Sequence, residues 1–310
     1  MYNFCTLFDK NYLYKGVALC NSIFRHCGSF RLWILCMDEE TFEILKKMKL
    51  KNVELVHLTE IEDAELLAVK KTRNPGEYAW TCKSYLLLFI LKNNKKLEVI
   101  TYLDSDLYFF ESPQRIYKEL KDNSVMLTPH RFGKEKMHWE KTRGRYNAGV
   151  IIFKNDDVAM KCLKEWKSDC LAWCFERYEE GKLGDQLYLN HWNEKFSGVH
   201  DIENVGANLG PWSLSKYEIM LNNNEILVDG FPLSLFHFHA LKIFSLFSFE
   251  PAFGYNVSKK NITLLYEPYY AELKRIILNV NDIDENFNFG FSDRISFYRR
   301  VKDFISKILQ

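Results

Sequence analysis

The chain has 310 residues, and 42 Lys and Arg stand against 41 Asp and Glu, a formal charge of +1. That balance argues against a dedicated nucleic-acid binder, which needs a basic surface to neutralise phosphates. With 47% hydrophobic and 27% charged residues, the chain lies far from the disordered regime and is long enough to bury a large core without disulfide or metal staples. The eight cysteines form no CxxC pair and no Cys/His zinc spacing. Cys170 and Cys174, four apart on one helical face, read as buried free thiols. No stretch approaches the ~20 apolar residues of a membrane span. Met1-Tyr2-Asn3 runs straight into an apolar strand without a secretory pattern. The expectation is a reducing, cytoplasmic location, with the sequons at Asn256 and Asn261 as chance matches.

An apolar run over residues 2–8 is the first predicted strand, followed by helical spacing over 13–27. Residues 30–37 form a strand, and Asp38 caps a charged amphipathic helix that runs to Met48. Residues 53–58 alternate as a strand, and Thr59 with Glu62 makes a capping box for the next helix. Residues 78–91 form an apolar run of helix length bounded by polar residues, which predicts a long buried helix. A strand over 99–103 ends in Asp104-Ser105-Asp106, and Ser112-Pro113 is a helix start. This alternation predicts a parallel α/β sheet covered on both faces, with ligands bound at the carboxyl ends of its strands.

The second half is mixed. Residues 146–153 form a strand, and Asn155 caps a long helix carrying Leu163, Trp166, Cys170, Trp173 and Cys174. Another helix follows Asp185, and short strands lie near 198–202, 225–228 and 235–239. From about residue 267 the chain is helical, with breaks near 281–288. With no repeat and no linker, residues 1–266 read as one domain and 267–310 as a C-terminal helical extension.

The chemistry centres on Tyr102-Leu103-Asp104-Ser105-Asp106-Leu107. Two carboxylates one residue apart, flanked by apolar strands, are costly to bury unpaired. A hard divalent cation removes that cost, and Mg²⁺ or Mn²⁺ held by carboxylates is commonly shared with substrate phosphates. His237 and His239 flank Phe238 and face the same way along a strand. Lys83, in Trp80-Thr81-Cys82-Lys83-Ser84-Tyr85, is a cation inside an otherwise apolar helix; it is a site residue or a snorkelling surface lysine. Asp185 opens a helix and would cap it.

In its ordered motifs the chain resembles the retaining GT-A fold glycosyltransferases related to glycogenin and to bacterial lipopolysaccharide galactosyl- and glucosyltransferases. The resemblance spans about residues 4–242. It rests on Thr6-Leu7-Phe8-Asp9-Lys10-Asn11-Tyr12, on Asp104-Ser105-Asp106, and on Tyr146-Asn147-Ala148-Gly149-Val150. It rests also on Gly184-Asp185-Gln186 with Asn190, and on His237-Phe238-His239-Ala240 with Lys242. It implies a Rossmann-like, mostly parallel mixed sheet flanked by helices. It implies a metal-dependent transfer of a sugar from a nucleotide sugar, a UDP-hexose or UDP-N-acetylhexosamine, to a glycan or glycolipid acceptor with retention of configuration. The cation, Mn²⁺ or Mg²⁺, falls to Asp104, Asp106 and His237, with His239 the alternative imidazole. Thr6, Asp9, Asn11 and Tyr12 would hold the uracil and ribose, and Lys83, Ser105 and Asn147 the donor. Lys242 would reach the diphosphate. Asp185 would bind sugar hydroxyls, with Gln186 beside the anomeric carbon. Ala240 stands where the family has glycine, and Lys242 falls one residue early.

Two other functions fit the same fold, a sugar nucleotidyltransferase and a non-catalytic carbohydrate- or nucleotide-binding protein. The first opens with a Gly-rich basic loop, absent from Phe8-Asp9-Lys10-Asn11-Tyr12; intact acids argue against the second. Residues 292–309 set Ile295, Phe297, Tyr298, Val301 and Phe304 among Arg294, Arg299, Arg300 and Lys302. That pattern suits a helix packed on the domain, and also peripheral contact with an anionic membrane at its inner face.

Overall fold

In the computed structural model, which describes residues 1–294, the alternation resolves into a seven-stranded sheet. Its strands are β1 (Tyr2–Phe8), β2 (Phe30–Cys36), β3 (Val53–His57), β4 (Val99–Leu103), β6 (Val125–Pro129), β7 (Tyr146–Lys154) and β8 (Val199–Asp201); β5 (Leu107–Phe109) lies outside it. The order is β3-β2-β1-β4-β7-β6-β8. The first four strands are parallel, with Phe4 level with both Leu32 and Thr101. The sheet is mixed rather than parallel throughout, because β7 runs antiparallel to β4 and β6. Both faces are covered, which is why these strands read as continuous apolar runs.

Successive residues feed two cores. Phe4, Phe8, Leu32 and Ile34 pack into one with α1 (Leu13–His26). Cys5, Leu7, Trp33 and Leu35 pack into the other with α3 (Pro75–Asn93) and α4 (Asp157–Ala172), the charged α2 (Glu39–Met48) lying between in sequence. The expected C-terminal helix is α5 (Glu267–Ile283), whose Tyr269, Leu273, Ile276 and Val280 join the α1 core. The amphipathic segment beyond Arg294 lies outside the described residues. All eight cysteines are buried and free. Among the described residues no helix is long and apolar enough to cross a membrane.

Chain connectivity sets up the site. The chain leaves β1 through α1 toward β2 on one side; it returns from β3 through α3 to β4 on the other. A crevice therefore opens between the carboxyl ends of β1 and β4, the switch point where such sheets bind ligands.

Three local expectations are corrected. The capping box after β3 is not Thr59 with Glu62. It is His57 with Glu60, on the single turn Leu58–Ile61, and Asp63 then caps Ala64–Lys70. Asn155 does not cap α4. Its amide donates to the Leu97 carbonyl, while the next residue, Asp156, accepts from the Ala159 N–H. Ser112-Pro113 starts only the one-turn helix Gln114–Tyr117.

After β8 the chain is mostly loop and short strand. It forms β9 (Ile219–Asn222), β10 (Glu225–Val228), β11 (Phe231–Pro232), β12 (Leu235–His237), β13 (Lys242–Ser245) and β14 (Ser248–Glu250). The antiparallel pairing of β12 with β5 sets His237 opposite Leu107, and the Phe238 N–H donates to the Asp106 carbonyl at 2.8 Å. That pairing carries a histidine from 130 residues downstream to the acidic turn after β4.

Candidate active site

A cavity of about 820 Å³ fills the switch-point crevice, within the range that encloses a nucleotide-sized ligand. Asp9, Asn11, Tyr12, Lys83, Asp104, Ser105, Asp106, Asn147, Asp185, Gln186, His237 and His239 all line it. Two expected residues do not. Thr6 is fully buried in β1, its hydroxyl without a hydrogen-bond partner among the described residues. Lys242 begins β13 and pairs in register with Glu250.

The loop after β1 is shaped by Asp9. Its carboxylate accepts from the N–H groups of Asn11 and Tyr12 at 3.0 and 3.2 Å, and from the Asn11 amide at 3.1 Å. This short side-chain turn leaves the Tyr12 ring 41% exposed at the cavity edge. Lys15 lies one turn on, buried, with its ammonium 4.5 Å from the Tyr12 ring and donating to the Leu241 carbonyl. Burial lowers Lys15 to about 8, against the pull of Asp106.

Lys83 ties the two acidic elements together. Its ammonium lies 2.9 Å from Asp104 Oδ1 and 3.0 Å from Asp185 Oδ2, and it donates to the Ala148 carbonyl. At 3% exposure it does not snorkel. Burial alone would lower a lysine, but Asp104 and Asp185 overcome it and hold Lys83 above its usual range. Asp185 is raised, because its burial and nearby Asp104 outweigh Lys83. Asp185 also caps no helix: its side chain turns to Lys83, Trp166 donates to its carbonyl, and the next turn, Leu187–His191, has no side-chain cap. Gln186 donates to the Arg143 carbonyl at 2.6 Å.

On the other side of the turn, His237 Nε2 lies 2.9 Å from Asp106 Oδ1 and 3.9 Å from Asp104 Oδ2. Burial would raise the Asp106 carboxyl, but His237 holds it well below the usual carboxylate range. Asp104 Oδ1 also accepts from the Tyr102 hydroxyl at 2.9 Å.

A buried polar chain that the sequence did not reveal stands behind His237. His237 Nδ1 meets Asn208 Oδ1 at 3.1 Å, Asn208 Nδ2 donates to Asn147 Oδ1 at 2.9 Å, and Asn147 Nδ2 meets His130 Nε2 at 3.4 Å. His130 Nδ1 meets the Gly144 carbonyl at 3.0 Å. One orientation satisfies every link. Both histidines carry a proton on Nδ1, which leaves Nε2 as the His237 nitrogen that faces the acids. Burial pushes His130 down to about 3, which keeps it neutral. Gly149 makes the crossing possible, since a Cβ there would sit 2.6 Å from Asn147 Oδ1 and 2.8 Å from the His237 ring. Trp212 is a packed loop residue, donating to the His130 carbonyl with its ring edge-on to His237. The sequence signal for Asn208 was only a polar residue inside an apolar loop.

This donor set fits a divalent cation. Carboxylate oxygens and an imidazole nitrogen converge, and the other imidazole nitrogen is held by a fixed acceptor, as in protein metal sites.

Comparison with known proteins gives the family and the fold. YfnF of Bacillus subtilis (strain 168), an uncharacterised protein, is 36% identical over 298 residues, covering 94% of this chain and 97% of YfnF. YfnD of the same organism, also uncharacterised, is 31% identical over 293 residues and 94% of each chain. The galactosyltransferase LgtC, solved with donor and acceptor sugar analogues, superposes with a TM-score of 0.55 at 15% identity, covering 88% of this chain and 95% of LgtC. The glycosyltransferase GlyE of Streptococcus pneumoniae TIGR4 gives 0.52 at 16% identity over 94% of this chain and 66% of GlyE. These likenesses show the GT-A fold expected from the sequence. Residues 3–195, which include the crevice loops, Lys83, both acids of the turn and Asp185, match Glycosyl transferase family 8, and the chain belongs to that family of glycosyltransferases.

Proposed function

We propose that this glycosyltransferase moves a hexose or N-acetylhexosamine from a UDP-sugar to a glycan or glycolipid acceptor, with a divalent cation and with retention of configuration. The observation that carries the reading is the convergence of Asp104, Asp106, Lys83, Asp185 and His237 at the switch-point crevice. Asp104, Asp106 and His237 would hold Mn²⁺ or Mg²⁺, which when bound supplies Lewis-acid neutralisation of the departing diphosphate. The loop fixed by Asp9 offers backbone and the Tyr12 face to the base and ribose. Lys83 orients Asp104 toward the cation and Asp185 toward sugar hydroxyls. Held at 3.0 Å by that ammonium, Asp185 is better placed to orient the donor than to attack it. The acceptor hydroxyl attacks the anomeric carbon on the face the diphosphate leaves. The bond from that carbon to the phosphate oxygen breaks, and the proton passes to the departing phosphate.

The test is nucleotide release from a panel of UDP-, GDP- and CDP-sugars, with Mn²⁺ or EDTA, for the wild type and Asp104→Ala. Slow hydrolysis of one UDP-sugar, lost in EDTA and in the variant, is the expected result. Hydrolysis that persists undiminished in EDTA would overturn the metal-dependent reading.

A further inference from the structure

The resemblance gives one imidazole to the cation, His237 or alternatively His239, yet both rings reach the same centre. One ligand atom each from Asp106, His237 and His239 lies within 4.8 Å of the other two. His239 lines the cavity and, among the described residues, takes no hydrogen bond on either ring nitrogen. Its ring is nevertheless held, edge-on to Trp212 at 5.8 Å, His237 at 5.9 Å and Tyr255 at 5.9 Å. The next residue, Ala240, turns back at φ +61°, and the Leu241 N–H closes the turn on the Phe238 carbonyl. A side chain fixed on three sides, with both nitrogens free and one carboxylate and one imidazole in reach, is a preorganised donor.

The neighbouring acid is less available than its position in the sequence suggests. Asp104 Oδ1 is engaged by Lys83 at 2.9 Å and by the Tyr102 hydroxyl at 2.9 Å, leaving Oδ2 toward His237. The atoms facing the centre are therefore two carboxylate oxygens and two imidazole nitrogens. Mg²⁺ is served by oxygen donors and water, whereas imidazole suits first-row transition metals and affinity rises from Mn²⁺ to Co²⁺. We propose that His239 is a second imidazole ligand of the cation, and that the pair His237 and His239 makes the site a transition-metal centre that discriminates against Mg²⁺. This rests on the reading of Asp106 and His237 as cation ligands.

The experiment is calorimetric titration of the full chain with Co²⁺, Mn²⁺ or Mg²⁺ alone, without nucleotide, together with the visible absorption spectrum of the Co²⁺ form. The proteins are the wild type, His239→Ala, His237→Ala and Asp106→Asn. His239→Ala exposes no core, and an unchanged melting temperature of the metal-free protein establishes that it folds. The expected result is Co²⁺ binding weakened about tenfold or more in His239→Ala, a changed Co²⁺ spectrum, and weak Mg²⁺ binding that does not respond to the substitution. If His237→Ala and Asp106→Asn lose Co²⁺ while His239→Ala binds it as the wild type does, His239 is no ligand and this inference fails alone. If none of the three substitutions alters Co²⁺ binding, the cation reading of the whole site fails with it.

Discussion

The site has two halves built in different ways. The loops after β1 and β4 stand on central parallel strands, where backbone ladders and two-sided burial fix every residue from Phe4 to Phe8 and from Ile100 to Leu103. The segment that brings Asn208, His237 and His239 has only the three-residue β12 as regular structure near the site. It is positioned by side chains: a buried amide pair, two histidines and the edge of Trp212. The first half should tolerate loss of one polar contact without moving. The second should not, because its contacts are its scaffold.

The largest expected effect, and an exception that sharpens this contrast, is Lys83→Met. It leaves Asp104 and Asp185 facing each other without a cation, one of them 4% exposed. Denaturant unfolding should show a loss of about 3 kcal/mol or more, and Lys83→Met with Asp185→Asn should recover much of it. Equal stability of single and double variants would break the account of the triad.

Acid should attack the second half first. His130 is depressed to about 3 while its unfolded value is near 6.5, so its contribution is full above about 6.5 and is lost as pH falls toward 3. Stability should drop by up to about 1.4 kcal/mol per pH unit across that window, a slope that His130→Gln flattens. An unfolding series from pH 7 to 4 reads it directly.

Asn208→Gly removes the amide at a left-handed position, φ +54°, without adding backbone strain. It strands the His237 Nδ1 proton and one Asn147 oxygen contact, for a loss of about 1–3 kcal/mol. Cation affinity should fall by about tenfold, since the imidazole tautomer is no longer fixed. Unchanged affinity in calorimetry would make the relay structural only.

The smallest effect is expected at Ala240, which holds φ +61° where glycine would be unstrained. Ala240→Gly should raise the unfolding free energy by about 0.5 kcal/mol, the relief of strain less the added chain entropy.

The contrast also explains what could be read in advance. Asp104 and Asp106 closing an apolar strand, and Lys83 inside an apolar helix, were visible because a charge in a buried periodic run needs a partner. Lys15 carries the same signal in α1 and was passed over. Asn208 and His130 left no such mark. Their partners lie 61 and 17 residues away in sequence, and links between loops have no period. The antiparallel β7 was likewise invisible in its own residues, because a strand buried on both faces reads the same in either direction.

The most direct test of the central claim, that the crevice binds a nucleotide diphosphate through a cation, is calorimetric titration of UDP into the protein with Mn²⁺ and with EDTA, for the wild type and Asp104→Ala. The account predicts binding that requires Mn²⁺ and the intact Asp104. UDP binding of equal strength in EDTA, or none under either condition, would contradict it.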